Sequence, residues 1–227
     1  MSEPSVLERV PLFAGLPANE LEQLSTRLRR RRYARGETLF LEGDPGTSLC
    51  IVESGRVKLG LTSPEGREII LSLFGPGDVF GELALLDGEP RSANAVAVEP
   101  SELLLLSRDE FLRFLEQHPK ASQVLLAAVG HWLRRLTTQM QDAAFLDVPA
   151  RLARTLLRLS GADEAANGGG RAVTPRLTQS DLAGMVGTTR ETLNKWLGFY
   201  EDQGLIRRDN HQIVVLRPDK LRSRTYQ

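Results

Sequence analysis

Short apolar runs separated by turn residues fill the chain between about residues 33 and 108. The runs are Leu39–Leu41, Leu49–Val52, Val57–Leu61, Ile69–Phe74, Val96–Val98 and Leu103–Leu106. Turn-forming residues interrupt them at 43–46, 53–55, 63–66, 75–78 and 87–90. In the third run, alternate residues are apolar, and this period of two turns one face of a strand inward. The pattern predicts an antiparallel barrel or sandwich.

From about residue 109 to 144 the apolar residues follow a helical period instead. After a break at Pro119 they fall in steps of 4, 3, 4 and 3, at Val129, Leu133, Leu136, Met140 and Ala143. This heptad spacing is typical of a helix that packs against another helix. The preferred interpretation is a two-stranded coil that joins two copies of the chain. Packing of the seam against the chain's own barrel is the alternative.

Shorter helices are predicted from about residue 147 onward. The long helix should stop near Leu146–Pro149, ahead of the proline. The segment 162–175 is polar and glycine-rich, and we predict a surface loop there because apolar periodicity resumes beyond it. The predicted organisation is therefore three parts, with boundaries at 1–118, 119–146 and 147–227.

Composition excludes several classes of protein. Of the 227 residues, 41% are hydrophobic and 26% charged, as in ordinary globular proteins. We find no apolar run of about 18 residues that would span a membrane. The first residues lack the basic-then-apolar pattern of a secretion signal, so we expect a cytoplasmic protein with no membrane partner. Cys50 is the only cysteine, which excludes a disulfide scaffold and a cysteine-held metal cluster.

The charges are unevenly divided, although their total is zero. Residues 1–144 hold 16 basic and 20 acidic side chains, giving −4, and residues 145–227 hold 13 and 9, giving +4. This polarity indicates two modules with different partners. A separate basic run at 27–35 holds six arginines. We interpret it as a helix end and a first strand with solvated faces; a second nucleic-acid patch is the alternative.

The most informative motif is FGELALLDGEPRSA at residues 80–93. Gly81 is predicted to open a short helical turn whose free N–H groups attract an anion. Ten residues later, Arg91 offers a guanidinium for bidentate phosphate binding, and Ser92 offers a hydroxyl. Glu82 would accept hydrogen bonds from sugar hydroxyls. We therefore expect a phosphorylated sugar as ligand; a Glu82–Arg91 salt bridge is the alternative.

This motif resembles the phosphate-binding cassette of cyclic-nucleotide-binding domains, from its F-G-E-L start to its P-R-S-A ending. The resemblance implies that Arg91 binds the cyclic phosphate and Glu82 the ribose 2′-hydroxyl. It also implies that Gly81, Leu83 and Ser92 complete the ligand site.

Residues 178–198 predict two helices joined by a tight turn. Thr178 should cap the first helix with Asp181 three residues on, and Thr188 should cap the second. The second helix has one apolar face, and its opposite face presents Arg190, Glu191, Asn194 and Lys195. Two strands around the polar turn 209–211 are predicted to form a wing. The side chains expected to contact phosphates are Thr189, Thr192, Arg207 and Arg208.

The segment T-T-R-E-T-L-N-K resembles the recognition helix of the cyclic-AMP receptor protein and fumarate–nitrate regulator (Crp/Fnr) family. The segment at 145–154 resembles the hinge of that family, and the resemblance covers nearly the whole chain. It implies an α+β fold with an N-terminal cyclic-nucleotide-binding β-roll, a long dimerisation helix and a C-terminal winged helix-turn-helix. It also implies that Arg190, Glu191 and Lys195 reach base edges. Side-chain chemistry agrees with this role, because Arg pairs with guanine and Glu with cytosine.

The resemblance implies a homodimeric, non-enzymatic transcription regulator that binds double-stranded DNA and RNA polymerase. The expected operator is a near-palindrome with TGTGA-like half-sites about 34–36 Å apart. A nucleotide-binding subunit that acts on a protein partner is an alternative, but the Thr188–Lys195 helix argues against it.

The sequence departs from the family pattern at the base end of the ligand site. In cyclic-AMP-responsive members, two adjacent hydroxyl residues on the long helix contact adenine, and the matching positions here are Leu136 and Thr137. Leu136 cannot hydrogen-bond a base, whereas Thr137 can. Cyclic AMP is the favoured effector. Cyclic GMP, a cyclic dinucleotide and constitutive DNA binding stay open.

Overall fold

The computed structural model describes residues 6–13, 15–162 and 172–226. The chain forms two compact units, residues 1–134 and 135–227. One long helix begins in the first unit and ends in the second. The division into three parts at 118 and 146 stays a prediction. Among the described helices, none combines the length and the apolar character needed to cross a membrane.

The first unit is built on two four-stranded antiparallel sheets. One has the order β1-β8-β3-β6 and consists of Arg29–Tyr33 (β1), Ser48–Ser54 (β3), Val79–Phe80 (β6) and Ser101–Ser107 (β8). The other has the order β2-β7-β4-β5 and consists of Thr38–Phe40 (β2), Val57–Thr62 (β4), Glu68–Phe74 (β5) and Asn94–Ala97 (β7). Every predicted apolar run overlaps a strand, which confirms the predicted all-antiparallel architecture.

Strand β3 is buried on both faces, and this explains its continuous apolar run. Cys50 and Val52 lie in one hydrophobic cluster with Phe80. Leu49 and Ile51 point to the other face and lie in a second cluster, which the helices complete. Because successive side chains of a strand point to opposite faces, a strand between two cores needs apolar residues at every position.

Short helices complete the second cluster. They are Val6–Arg9 (α1), Ala18–Arg27 (α2), Leu83–Leu86 (α3) and Arg108–Gln117 (α4), with a 3₁₀ turn at Pro11–Phe13. The rings of Phe13 and Phe114 meet edge to face, with centroids 5.2 Å apart. The Ser107 hydroxyl caps α4 by accepting a hydrogen bond from the backbone N–H of Glu110.

The basic run forms the end of α2 and the edge strand β1, as the sequence analysis proposed. Arg29 to Arg32 are all exposed. Arg30 pairs with Glu53 at 2.5 Å and Arg32 with Glu102 at 3.0 Å. Charged side chains on an edge strand also discourage pairing with another chain's strand.

The long helix α5 covers Pro119–Phe145, which confirms the break at Pro119. Ala121 and Leu125 are buried in the first unit. Farther along, apolar side chains seven residues apart lie in solvent: Leu126 is 71% exposed, Leu133 56% and Met140 73%. Ala143 is exposed, and Val129 and Leu136 are half-buried. Part of the seam is therefore exposed on a single chain, and Leu126 extends it toward the start of the helix.

In the described part of the second unit, four helices that follow α5 pack against a three-stranded sheet. The helices are Val148–Leu159 (α6), Gln179–Val186 (α7), Arg190–Asp202 (α8) and Pro218–Arg222 (α9), and a 3₁₀ turn follows at Ser223–Tyr226. The strands are Ala172–Val173 (β9), Ile206–Asp209 (β10) and Gln212–Val215 (β11), in the order β10-β11-β9. Leu156, Leu193 and Tyr200 are fully buried in its core.

The structure corrects two predictions about loops in this unit. The predicted loop 162–175 contains β9, which pairs with β11; residues 163–171 lie outside the described residues. The wing turn has two central residues rather than three, because Asp209 already pairs with Gln212. Asn210 and His211 have φ values of 40° and 69°, as a two-residue turn between twisted strands requires.

Two glycines in turns between consecutive strands of the first unit provide a matched stability test. Gly55 and Gly66 both have positive φ, 81° and 79°. A Cβ at Gly55 would lie 2.6 Å from Cα of Ser101 and nearer still to the carbonyl oxygen of Pro100, whereas a Cβ at Gly66 would meet nothing within 4 Å. We expect Gly66→Ala to cost about 1 kcal/mol from backbone strain alone. Gly55→Ala should cost roughly 2 kcal/mol more through the clash.

Urea unfolding followed by far-ultraviolet circular dichroism measures both costs. Equal midpoints for the two variants would contradict the close approach between the Gly55 turn and Ser101.

Candidate ligand site and nucleic-acid interface

A buried arginine is the centre of the first candidate site. Arg91 is only 5% exposed. Its Nη1 donates to the carbonyl oxygen of Gly81 and its Nη2 to that of Ser48, each at 2.7 Å. The guanidinium carbon lies 4.2 Å from the centre of the Phe40 ring, a cation–π distance. Among the described residues, Arg91 forms no salt bridge with Glu82, which was the alternative interpretation of this motif.

Backbone geometry places the guanidinium against the cassette. Gly81 has a φ of 82°, and a Cβ there would lie 2.6 Å from Nη1 of Arg91. Glycine is therefore needed for the close approach of the arginine itself. The turn at 43–46 holds the backbone of Arg91, since its N–H donates to the Asp44 carbonyl at 2.8 Å and its carbonyl accepts from the Gly43 N–H at 2.9 Å.

Glu82 lies close enough to this guanidinium for the two charges to interact, and it directly precedes α3. The helical turn of the cassette is therefore shifted by two residues from the predicted start at Gly81. Burial raises the pKa of the Glu82 carboxyl, while a backbone hydrogen bond and Arg91 oppose the rise. Burial lowers the pKa of the Arg91 guanidinium, which still keeps its proton. The site thus combines one half-desolvated acid with one buried cation.

The donor chemistry of this site fits a phosphate. The Nε of Arg91 is buried and has no hydrogen-bond partner among the described residues. A buried unpaired donor costs free energy, and a bound anion would remove that cost. Ser92 is exposed next to the arginine, and Leu83 is half-buried at the start of α3. No sequence pattern points to Phe40, Asp44 and Ser48, because only the folded sheets bring them to Arg91.

Cys50 lies close enough to Arg91 and Glu82 for their charges to act on it. Burial nevertheless raises the pKa of the Cys50 thiol to about 12, so the thiol is protonated and inert. Within the described residues, no group of three or more His, Cys, Asp or Glu side chains is arranged to hold a metal ion.

The second candidate site is the helix pair α7–α8. Thr178 and Asp181 form the predicted capping box at the start of α7, and Gly187 ends the helix with a φ of 69°. The predicted cap of α8 is wrong by one residue. Thr189, not Thr188, is the N-cap, and its hydroxyl accepts from the N–H of Thr192 at 3.2 Å. Arg190 is therefore the first residue of the helix.

The polar face of α8 points outward. Arg190, Glu191 and Lys195 are exposed, while Asn194 is half-buried. Lys195 Nζ lies 5.9 Å from the Trp196 ring centre. Thr189 is exposed, but Thr192 is half-buried and its hydroxyl accepts a hydrogen bond from that of Thr189 at 3.1 Å.

The wing arginines are exposed but differ in their contacts. Arg208 forms an ion pair with Glu201 at 2.6 Å, and its backbone N–H donates to the same carboxylate. These bonds lower the pKa of Glu201. Arg207 lies 3.6 Å from Asp209. Of the two, Arg207 is the less restrained.

Leu136 and Thr137 lie on α5 as predicted, in its last three turns. Leu136 is half-buried and Thr137 exposed.

Comparison with known proteins identifies both units. Residues 30–118 match the cyclic nucleotide-binding domain and residues 150–224 the Crp-like helix-turn-helix domain. The "CRP-like cAMP-activated global transcriptional regulator" of Mycobacterium tuberculosis is 35% identical over 219 residues, which cover 96% of this chain and 98% of that protein. The "Cyclic AMP receptor protein" of Thermus thermophilus is 36% identical over 197 residues, covering 87% of this chain and 88% of that one.

A solved structure of another regulator is also similar to this chain. The c-di-GMP responsive global regulator CLP of Xanthomonas campestris matches with a TM-score of 0.74 at 27% identity, covering 88% of this chain and 99% of that chain.

The raised pKa of the Glu82 carboxyl predicts how the stability of the folded protein depends on pH. Because folding raises this pKa, the ionised carboxylate is less favourable in the folded state than in the unfolded chain. The stabilising contribution of the protonated carboxyl is complete at pH values below its ordinary pKa of 4.5. This contribution is lost as the pH rises through the raised pKa. We therefore expect Glu82→Gln to raise the melting temperature of the ligand-free protein at pH 7 by a few degrees. The advantage should shrink as the pH approaches 4.5.

Thermal melts across this pH range measure the effect. The matched control is Glu89→Gln, since Glu89 is exposed on the same segment. A Glu82→Gln variant that is less stable at pH 7 would show that attraction to Arg91 outweighs desolvation.

Proposed function

The chain belongs to the Crp/Fnr family of transcription regulators, and we propose that cyclic AMP controls its binding to DNA. One observation carries the proposal. The same chain holds a buried guanidinium with an unpaired donor in its sheet unit and, in its second unit, a helix whose polar face is exposed. A regulator that couples a small phosphate ligand to DNA needs both parts.

The proposed effector site uses the cassette residues. Arg91 would bind the cyclic phosphate through Nε and a terminal nitrogen, and it would exchange a carbonyl partner for the anion. Glu82 would accept from the ribose 2′-hydroxyl, and its ionised form is required for that role. Gly81, Leu83 and Ser92 would line the site. Thr137 would contact the base and Leu136 would pack against it.

Two relatives support cyclic AMP by their names. A cyclic dinucleotide is the second candidate, because the Xanthomonas regulator is described as c-di-GMP responsive and Leu136 offers no hydrogen bond to adenine.

The proposed DNA contacts divide into two groups. Arg190, Glu191 and Lys195 would reach base edges in the major groove, with Arg190 on a guanine and Glu191 on a cytosine. The residues proposed to contact the DNA backbone are Thr189, Thr192, Asn194, Arg207 and Arg208. These pairings favour a TGTGA-like half-site. Two recognition helices on one dimer would read half-sites about 34–36 Å apart.

A ligand activates only if it binds the DNA-competent arrangement better than the other one. Operator DNA should therefore raise the affinity for the effector by the same factor that the effector raises the affinity for DNA. A regulator of this class would also contact RNA polymerase and would act in the cytoplasm.

Fluorescence anisotropy with a labelled palindromic duplex tests the gating. The protein is titrated alone and with cyclic AMP, cyclic GMP or c-di-GMP. We expect cyclic AMP to tighten operator binding at least tenfold, the effect of about 1.4 kcal/mol of coupling. Arg91→Lys should abolish that gain, since one ammonium cannot replace a forked donor, and the exposed Arg67→Lys should keep it.

Other outcomes contradict parts of the proposal. Tight binding without any ligand would refute gating, and a response to c-di-GMP alone would replace the effector. Failure of every duplex from an unbiased selection would refute DNA reading.

The exposed seam of α5 predicts how the dimer is held. Met140 is 73% exposed, and a glutamate at its place would bring two like charges together in an apolar interface. We expect Met140→Glu to shift the protein to monomers at micromolar concentration, measured by light scattering after gel filtration. The neighbouring Gln141→Glu, also exposed but off the seam, should stay dimeric. Monomers in both variants or in neither would contradict the assignment of this seam.

A further inference from the structure

A glutamine outside the recognition helix holds the first residue of that helix. Gln179 begins α7 and Arg190 begins α8. The Oε1 atom of Gln179 accepts hydrogen bonds from Nε of Arg190 at 3.1 Å and from Nδ2 of Asn194 at 2.9 Å. Arg190 and Asn194 are four residues apart, so they are neighbours on one helix face. One acceptor on α7 therefore bridges a full turn of α8.

The chemistry of arginine fixes the orientation of this amide. A guanidinium only donates hydrogen bonds, so Gln179 must present its oxygen, not its nitrogen, to Arg190. The same orientation satisfies the amide nitrogen of Asn194. The Oδ1 of Asn194 is buried without a partner among the described residues, so the contact with Gln179 involves only its amide nitrogen.

The contact at Nε leaves the fork of Arg190 available. In the described part of the chain, the two terminal nitrogens of Arg190 have no acceptor. These are the donors that a bidentate contact with guanine O6 and N7 uses. An unrestrained arginine loses rotamer entropy when it binds a base, whereas a guanidinium already held at Nε loses less.

The position of Arg190 makes such a partner useful. A cation at the N-terminus of a helix meets the positive end of the helix dipole, which disfavours it there. A neutral acceptor on α7 compensates without cancelling the charge that attracts DNA. A carboxylate in its place would hold the arginine as well, but it would remove one unit of positive charge from the interface.

We propose that Gln179 is a positioning residue for base recognition, which orients the Arg190 guanidinium so that its fork faces the base pair. The role rests on the proposed reading of a base by Arg190. It predicts that Gln179 governs discrimination at the base pair that Arg190 reads, rather than overall affinity for DNA.

A double-mutant cycle tests this role in the full-length protein. Dissociation constants are measured for the selected operator, for operators with single base pairs replaced, and for an unrelated duplex. Arg190→Ala should relax discrimination at one G·C pair by about tenfold or more. Gln179→Met, which keeps the length but removes the acceptor, should lower discrimination at the same pair severalfold. In the Arg190→Ala background it should not change the discrimination at that pair.

Two further variants separate positioning from folding. Gln179→Glu retains the acceptor, so it should keep the discrimination at that pair. It should also weaken binding to every duplex and reduce the salt dependence by about one charge. Gln179→Asn retains the amide but is too short to reach Arg190, so it should behave like Gln179→Met. The exposed neighbour Ser180→Ala is the control for the start of α7, and thermal melts report any loss of folding.

The outcomes are distinguishable. If Arg190→Ala weakens all duplexes equally, the base-reading assignment fails, and the role of Gln179 fails with it. If Arg190→Ala relaxes one pair while Gln179→Met acts equally on every duplex, or acts undiminished in the Arg190→Ala background, only the positioning role is overturned.

Discussion

The burial of one permanent charge, that of Arg91, is the constraint on which the sheet unit depends. Taking a guanidinium out of water is costly unless its donors are satisfied. Two carbonyl groups, of Gly81 and Ser48, take the terminal nitrogens. This requires a glycine at 81, a strand end at Ser48 and a turn that holds the arginine backbone at Asp44. The donor left over, Nε, is the one that we propose binds the ligand's phosphate.

The need to satisfy polar groups also organises the second unit. Caps set where each helix begins, because the first N–H groups of a helix have no partner within it. Thr189 takes the cap of α8, and this shift of one residue makes Arg190 the first residue of the helix. Gln179 then reaches it from α7. A difference of one residue in the position of the cap thus decides which side chain of α8 meets the partner helix.

Much of this organisation was predictable from local patterns. Period-two alternation and turn residues located the strands, and heptad spacing located α5, because both patterns reflect burial of one face. The cassette and recognition-helix motifs identified Arg91, Glu82 and Arg190 as candidates. Two features were harder to predict from the sequence. One is β9, a two-residue strand without a pattern of its own. The other is the cap of α8, since adjacent threonines at 188 and 189 offer equivalent hydroxyls.

The sequence alone determined the kinds of element, their order and the residue types at both sites, since these depend on periodicity and on side-chain chemistry. Only the tertiary structure decided the partners. Whether Arg91 would pair with Glu82 or with carbonyls, and whether Gln179 would touch Arg190, depends on distances between residues far apart along the chain. Hydrogen bonds need donor and acceptor within about 3 Å, and no local pattern encodes that proximity.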